Sequence, residues 1–223
     1  MYYEQINRAV ATRLGGLHSA RLVIESLDFE TDYAAFHRSG DWDGANRVIA
    51  TAASRLKSAG AEGLLLASNT MHKNAEAAQA ASGLPLIDIR EVTAERLKAD
   101  GRTRIALLGT RFTMTEEWAR APYEKRGIAI QELAADWRRE VDRIIYEELA
   151  GGRVVRDSQR KLKTLITELQ KQKVQAVVLG CTELVMAVDV RANVLPVYDT
   201  TAIHARAAAE WMLEEPEQAR AAA

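Results

Sequence analysis

The sequence predicts an α/β protein of two similar halves, each a parallel-type sheet flanked by helices, the halves related by a pseudo-twofold axis with a cleft between them. Three observations predict it. Short apolar strands alternate with helical segments along the chain, the pattern of parallel sheets with helices on both faces. Gly63-Leu-Leu-Leu-Ala67 is a continuous apolar run, as in a strand buried on both sides. Finally, Ala61-Glu-Gly-Leu-Leu-Leu-Ala-Ser-Asn-Thr70 aligns with Val174-Gln-Ala-Val-Val-Leu-Gly-Cys-Thr-Glu183 at a constant offset that superposes Ser68 on Cys181. Each copy follows a helix and precedes a Leu-Pro-apolar-apolar-Asp strand. The alternative account is two unrelated strand-helix units that happen to end in small polar residues.

Taken in order, residues Tyr2 to Thr12 carry apolar positions at helical spacing and run into Gly15-Gly16, a helix followed by a permissive stop. Ala20 to Ser26 is a short, partly β-branched run that reads as a strand, and Asp43 to Ala59 as a helix before Gly60. The strand at Gly63 is followed by polar Ser68-Asn69-Thr70, an Ala-rich helix from Met71 to Ala81, a strand at Leu84–Ile89 and a helix from Val92 to Lys98. The second half repeats this grammar. It has a strand at Arg104–Gly109, helices at Thr115–Arg126, Val141–Leu149 and Ser158–Gln172, a strand at Val174–Gly180, another at Leu195–Thr200, and a closing helix over Ala202–Leu213. The expected division is a first half over 1–100, with the closing helix 202–213 packing back on it, a second half over 101–201, and a fraying tail over 214–223.

The chain has 223 residues, 48% hydrophobic and 27% charged, which is ordinary globular composition. With 30 basic and 31 acidic side chains the net charge is −1 and no basic block stands out, so nucleic acid is not an expected partner. One cysteine makes no internal disulfide, and four scattered histidines offer no pair at helical ligand spacing, which argues against a disulfide scaffold and a zinc site. The amino terminus lacks a signal-peptide core and no uncharged run approaches a membrane span. A cytoplasmic protein without a membrane partner is expected. Neither a Gly-x-Gly-x-x-Gly nor a Walker-type loop argues for a nucleotide.

In open parallel sheets, ligands bind beyond the carboxyl ends of the strands. Two strands end in polar turns, Ser68-Asn69-Thr70 and Cys181-Thr182-Glu183, and with pseudo-twofold halves these turns face one another. A third turn, Gly109-Thr110-Arg111-Phe112-Thr113, offers hydroxyls and amides suited to a carboxylate. A thiol at the Cys181 turn, close to a helix N-terminus and partly desolvated, can be held as thiolate. The competing reading is an inert buried cysteine, just as Asn69, Thr70 and Thr182 could serve only as helix caps. His72, early in its helix, is expected to be exposed.

At these residues the sequence resembles the aspartate/glutamate racemase family of cofactor-independent amino-acid racemases. The matching stretches run in order from end to end: Arg13-Leu-Gly-Gly-Leu-His-Ser-Ala-Arg21, Ser68-Asn-Thr-Met-His-Lys73, Leu107-Leu-Gly-Thr-Arg-Phe-Thr-Met114, Arg143-Ile-Ile-Tyr-Glu-Glu-Leu149, Leu179-Gly-Cys-Thr-Glu-Leu184 and Tyr198-Asp-Thr-Thr201. The resemblance implies two α/β domains around a cleft, a homodimer, a small amino-acid substrate, and neither cofactor nor metal. It implies two acid/base groups flanking the substrate α-carbon, usually a cysteine from each half; Cys181 matches one, and Ser68 stands where the other cysteine usually does. Asn69, Thr70, Thr110, Thr113 and Thr182 match the residues that hold the α-carboxylate and ammonium groups, and Glu183 sits where it could orient the site.

Two features depart from the family's pattern. Members have a strand and a Gly-Gly-Met loop ahead of the helix that here starts at Tyr2, and aspartate-specific members have a lysine in the stretch corresponding to Tyr146–Ala150, where this chain has none. The resemblance therefore implies racemisation of aspartate or glutamate, and of a broader set of amino acids, with Cys181 deprotonating one enantiomer efficiently and the reverse direction slow. The alternatives are a single-cysteine decarboxylase of an arylmalonate-like diacid and a catalytically weakened ligand-binding homologue.

Overall fold

A computed structural model describes residues 1–214. The elements run α1 (Tyr2–Leu14), α2 (Ala35–Ser39), α3 (Trp42–Ser58), β1 (Leu64–Leu65), α4 (Ala75–Ser82), β2 (Leu86–Ile87), α5 (Ile89–Ala99), β3 (Arg104–Gly109), α6 (Arg111–Thr115), α7 (Glu117–Glu124), β4 (Ala129–Ile130), α8 (Ala135–Arg143), α9 (Arg156–Lys171), β5 (Ala176–Gly180), β6 (Val197–Asp199) and α10 (Thr200–Leu213). Two compact units interleave along the chain. Among the described residues, one takes Met1–Leu65, Asn74–Ile87 and residues 204–214; the other takes Leu66–Lys73 and Asp88–Ile203. The expected tail lies, from residue 215, outside the described residues.

In the first unit, β1 and β2 pair in parallel. Ile6 and Val10, one helical turn apart on α1, bury against Ala205, Ala208 and Ala209 of α10. The Asp41 side chain caps α3 by accepting from Gly44 N–H at 2.7 Å. Ala20–Ser26 is not a strand. Ala20 and Leu22 pack inward on the α1–α10 cluster while Val23 and Ile24 are exposed, and no described residue forms a ladder with them. β-Branched composition makes the chain extended, but a strand also needs a partner. A helical stretch the sequence reading does not anticipate covers Glu30–Ser39, opening with a π-helical turn. Its signal is aromatic: Phe29, Tyr33 and His37 recur every four residues, the Phe29 and Tyr33 rings stacking at a centroid distance of 4.9 Å and the His37 ring meeting Tyr33 at a tilt at 4.0 Å.

The second unit holds a parallel four-stranded sheet in the order β4-β3-β5-β6. Its central strands are buried from Ile105 to Gly109 and from Ala176 to Gly180. Alternation sorts their side chains to two faces. Ala106, Leu108, Val177 and Leu179 join Val141, Ile144, Leu162, Leu165, Ile166 and Leu169 in one core, and Ile105, Leu107, Ala176 and Val178 join Ala94, Leu97 and Tyr123 in the other. The helix expected at 141–149 starts earlier, at Ala135, and becomes a π-helical turn over Ile144–Glu148. The charged residues Arg138, Arg139, Glu140 and Asp142 mask its periodicity.

The sequence echo has a structural counterpart inside each unit. Leu64 N–H donates to Pro85 O at 2.8 Å, and Val177 N–H donates to Pro196 O at 2.9 Å. Each Leu-Pro strand thus enters beside its echoed partner in the same way, and each ends in an aspartate, Asp88 or Asp199, whose carboxylate accepts the N–H two residues on.

Candidate active site

All seven residues singled out by the sequence, Ser68, Asn69, Thr70, Thr110, Thr113, Cys181 and Thr182, belong to the second unit. Two glycines at the ends of adjacent strands set up the geometry. Gly109 of β3 and Gly180 of β5 are register partners, and a Cβ on Gly109 would lie 2.8 Å from Gly180 O, while one on Gly180 would lie 3.0 Å from Thr113 Cγ2. Without Cβ atoms the strand ends can approach and Thr113 can sit over both.

Above these glycines the hydroxyls of three buried threonines converge. Thr70 Oγ1 lies 3.0 Å from Thr110 Oγ1 and 3.5 Å from Thr113 Oγ1, and the last two are 3.3 Å apart. Thr110 also caps α6, its hydroxyl accepting from Thr113 N–H at 3.5 Å. The turn after β1 and the turn after β3 therefore present one cluster of three rotatable O–H groups, able to turn toward an anion. Asn69 is tied to the end of β5 at one remove: its Nδ2 donates to Thr200 Oγ1 at 3.0 Å, and the Thr200 hydroxyl donates to Leu179 O at 2.7 Å. Thr200, fully buried, is a link that sequence reasoning misses; its only signal is its place in Tyr198-Asp-Thr-Thr201.

Cys181 follows β5 directly and is buried. Its thiol donates to Glu183 Oε2 at 3.0 Å, and the same oxygen accepts the Thr182 hydroxyl at 2.7 Å. Burial pushes the Cys181 thiol well above its ordinary range, the Glu183 carboxylate pushes it further in the same direction, and Asp142 adds a smaller push. Both effects favour the neutral thiol over the thiolate, the state of the buried-cysteine reading. Only a three-residue helical turn, Leu184–Met186, follows, so no helix dipole of useful length opposes desolvation. Asp142 reaches this region from α8, where its carboxylate accepts Arg111 N–H at 2.7 Å.

Ser68 is half-buried between β1 and the helical turn Thr70–Asn74, and its hydroxyl accepts Met71 N–H at 3.4 Å. His72 is buried, not exposed as expected: Nδ1 lies 2.7 Å from Ser68 O, and Nε2 accepts Ile89 N–H at 3.2 Å. A histidine that finds main-chain partners for both nitrogens has no need of solvent. Beside it, burial pushes the Asp88 carboxyl up, but the hydrogen bonds from Arg90 and its charge outweigh this and hold it at about 2. Among the described residues no group of three His, Cys, Asp or Glu side chains is arranged to hold a metal. Nor is any described helix long and apolar enough to cross a membrane.

A family model described as Asp/Glu/Hydantoin racemase matches residues 1–208. Among solved structures, the chain is similar to a protein described as a candidate Asp/Glu racemase from Yersinia pestis, with 42% identity, 96% of this chain and 93% of that one covered, and a TM-score of 0.87. It is similar to an aspartate racemase homologue from Pyrococcus horikoshii, with 28% identity, 96% and 93% covered, and a TM-score of 0.79. The aspartate racemase of Picrophilus torridus shares the fold at 15% identity, with 98% and 92% covered and a TM-score of 0.72.

Proposed function

We propose, for a chain that belongs to the Asp/Glu/Hydantoin racemase family, that it racemises amino acids without a cofactor, aspartate and glutamate first among them, by proton transfer at the α-carbon between Cys181 and Ser68. The observation that carries this reading is the Cys181–Glu183 hydrogen bond at 3.0 Å in the same compact unit as the Thr70–Thr110–Thr113 hydroxyl cluster. One unit thus carries both a proton-transfer group and an anion cradle.

The hydroxyls of Thr70, Thr110 and Thr113 turn their protons onto the substrate α-carboxylate, and this stabilises the charge that builds up when the α-proton leaves. Asn69 and Thr182 complete the cradle through their remaining polar atoms. Cys181 rests as a thiol, so its work as a base begins with transfer of its proton to Glu183 Oε2, which leaves a thiolate and a carboxylic acid. The thiolate takes the α-proton of one enantiomer. A thiol driven high by burial is a strong base once ionised, which suits an acid as weak as an amino-acid α-carbon. Ser68 then gives its hydroxyl proton to the opposite face of the carbanion; water reprotonates it, and the hydroxide so formed takes the proton held by Glu183, which restores the resting site. In reverse, Ser68 must act as an alkoxide, so that direction is slower.

The test is the optical rotation of L- and D-aspartate and L- and D-glutamate incubated with the parent, Cys181→Ala and Ser68→Ala. The expected result is a decay of rotation by the parent that both variants abolish. A folded parent that leaves all four unchanged overturns the reading. The resting thiol itself favours one further reading, a decarboxylase in which loss of carbon dioxide from a malonate-like diacid makes the carbanion and Cys181 supplies the single proton. Carbon dioxide release from such diacids, with no rotation change in amino acids, would select it.

A further inference from the structure

We propose that His72 is a positioning residue for the serine half of the reaction: its two ring nitrogens fix the main chain that carries Ser68 and thereby aim the serine hydroxyl. The proposal rests on the reading of Ser68 as the second proton-transfer group. Ser68 lies in irregular chain between the end of β1 at Leu65 and the helical turn that starts at Thr70, so no sheet ladder or helix holds it. Its hydroxyl accepts from Met71 N–H only at a long 3.4 Å, whereas its carbonyl meets His72 Nδ1 at 2.7 Å.

The tautomer follows from the partners. Ile89 N–H can only donate, so Nε2 must present its lone pair, and the ring proton resides on Nδ1, where it donates to Ser68 O. A rigid ring with a donor on one side and an acceptor on the other is thus clamped between the serine turn and the first residue of α5. The far end of the clamp is itself fixed, because Asp88 accepts Arg90 N–H at 2.8 Å and satisfies the neighbouring donor of that helix start. Asn69 is anchored on Thr200 and Thr70 on the hydroxyl cluster. Removing the His72 anchor therefore loosens the main chain at Ser68 while the carboxylate cradle keeps its own supports.

This predicts an enantiomer-selective defect, which loss of stability alone does not produce. Exchange of the α-hydrogen with deuterated water is measured separately for the two enantiomers of aspartate, using the parent, Ser68→Ala, Cys181→Ala, His72→Leu and His72→Asn. The enantiomer whose exchange Ser68→Ala abolishes defines the serine side. His72→Leu is expected to lower kcat on that side at least tenfold with KM within about twofold, and to leave the cysteine-side rate within about threefold. His72→Asn keeps an amide N–H for Ser68 O and is expected to recover part of the loss. Equal loss for both enantiomers, or no loss, in either His72 variant overturns the proposal, and the His72→Asn rates decide between these outcomes if His72→Leu does not fold. If the parent exchanges neither enantiomer, or Ser68→Ala spares both, the reading of Ser68 fails instead.

Discussion

Replacing Gly109 by alanine tests whether the close approach of β3 and β5 is what seats Thr113 over the strand ends. Gly109 has ordinary strand backbone, so alanine meets no dihedral penalty, and loss of glycine's freedom in the unfolded chain favours folding by about 0.4–1 kcal/mol. Against this stands a methyl carbon 2.8 Å from Gly180 O and 3.0 Å from Thr113 Cβ. The first neighbour is main chain held in the ladder, so the strand ends or α6 must shift, and overpacking of this kind costs about 1–3 kcal/mol. The expected net loss of about 1–2 kcal/mol lowers Tm by about 2–8 °C in a chain of this size. Thr113 is the neighbour that can give way, which opens the hydroxyl cluster. Losing one hydrogen bond to a charged carboxylate, about 1.5–3 kcal/mol, lowers kcat/KM for aspartate by about 10- to 100-fold. Scanning calorimetry and steady-state rotation assays read the two effects. An unchanged or raised Tm with unchanged kcat/KM would refute the reasoning.

Thr70→Val removes one hydroxyl from the cluster but keeps its shape; unfolding by denaturant should show a loss of about 1 kcal/mol, while kcat/KM falls about tenfold or more. Glu183→Gln removes the charge that, after burial, does most to hold Cys181 as a thiol, so alkylation of Cys181 by iodoacetamide should accelerate at about pH 8 while racemisation slows for want of a proton acceptor. An alkylation rate at or below the parent's contradicts that pairing. Asp88 is held at about 2 against an ordinary 3.8, a lowered carboxylate whose contribution of about 2 kcal/mol is complete above about pH 4 and lost as pH falls toward about 2. Acid titration should therefore find Asp88→Asn less stable than the parent at about pH 6 and the two converging near about pH 2.

The parallel strands of the second unit are legible because Ile105–Gly109 and Ala176–Gly180 are continuous apolar runs, a pattern that burial on both faces requires. The hydroxyl cluster is legible in part, since Thr110 and Thr113 stand in a turn directly after a strand and Thr70 in a turn after another. What joins them is not, because Thr70 meets Thr110 and Thr113 through contacts between positions 40 and 43 residues apart in the chain. Ala20–Ser26 misleads because composition reports extended backbone but not the presence of a partner. The state of Cys181 stays open in the sequence for a related reason. A cysteine at a polar turn is open to reading as a thiolate or as an inert buried thiol, and it is three-dimensional burial with the Glu183 carboxylate turned onto the sulfur that favours the thiol. His72 misleads because a place early in a helix suggests exposure, whereas its partners, Ser68 O and Ile89 N–H, include one contributed by a separate helix start.

Proton NMR in deuterated water measures directly whether this protein breaks an α-carbon–hydrogen bond. With each enantiomer of aspartate in turn, the account predicts that the α-proton signal decays and the opposite enantiomer accumulates in the parent, and that Cys181→Ala stops the accumulation from both and the α-proton decay of one. An α-proton signal that persists for both enantiomers in the folded parent, or that decays equally fast for both after Cys181 is replaced, would contradict it.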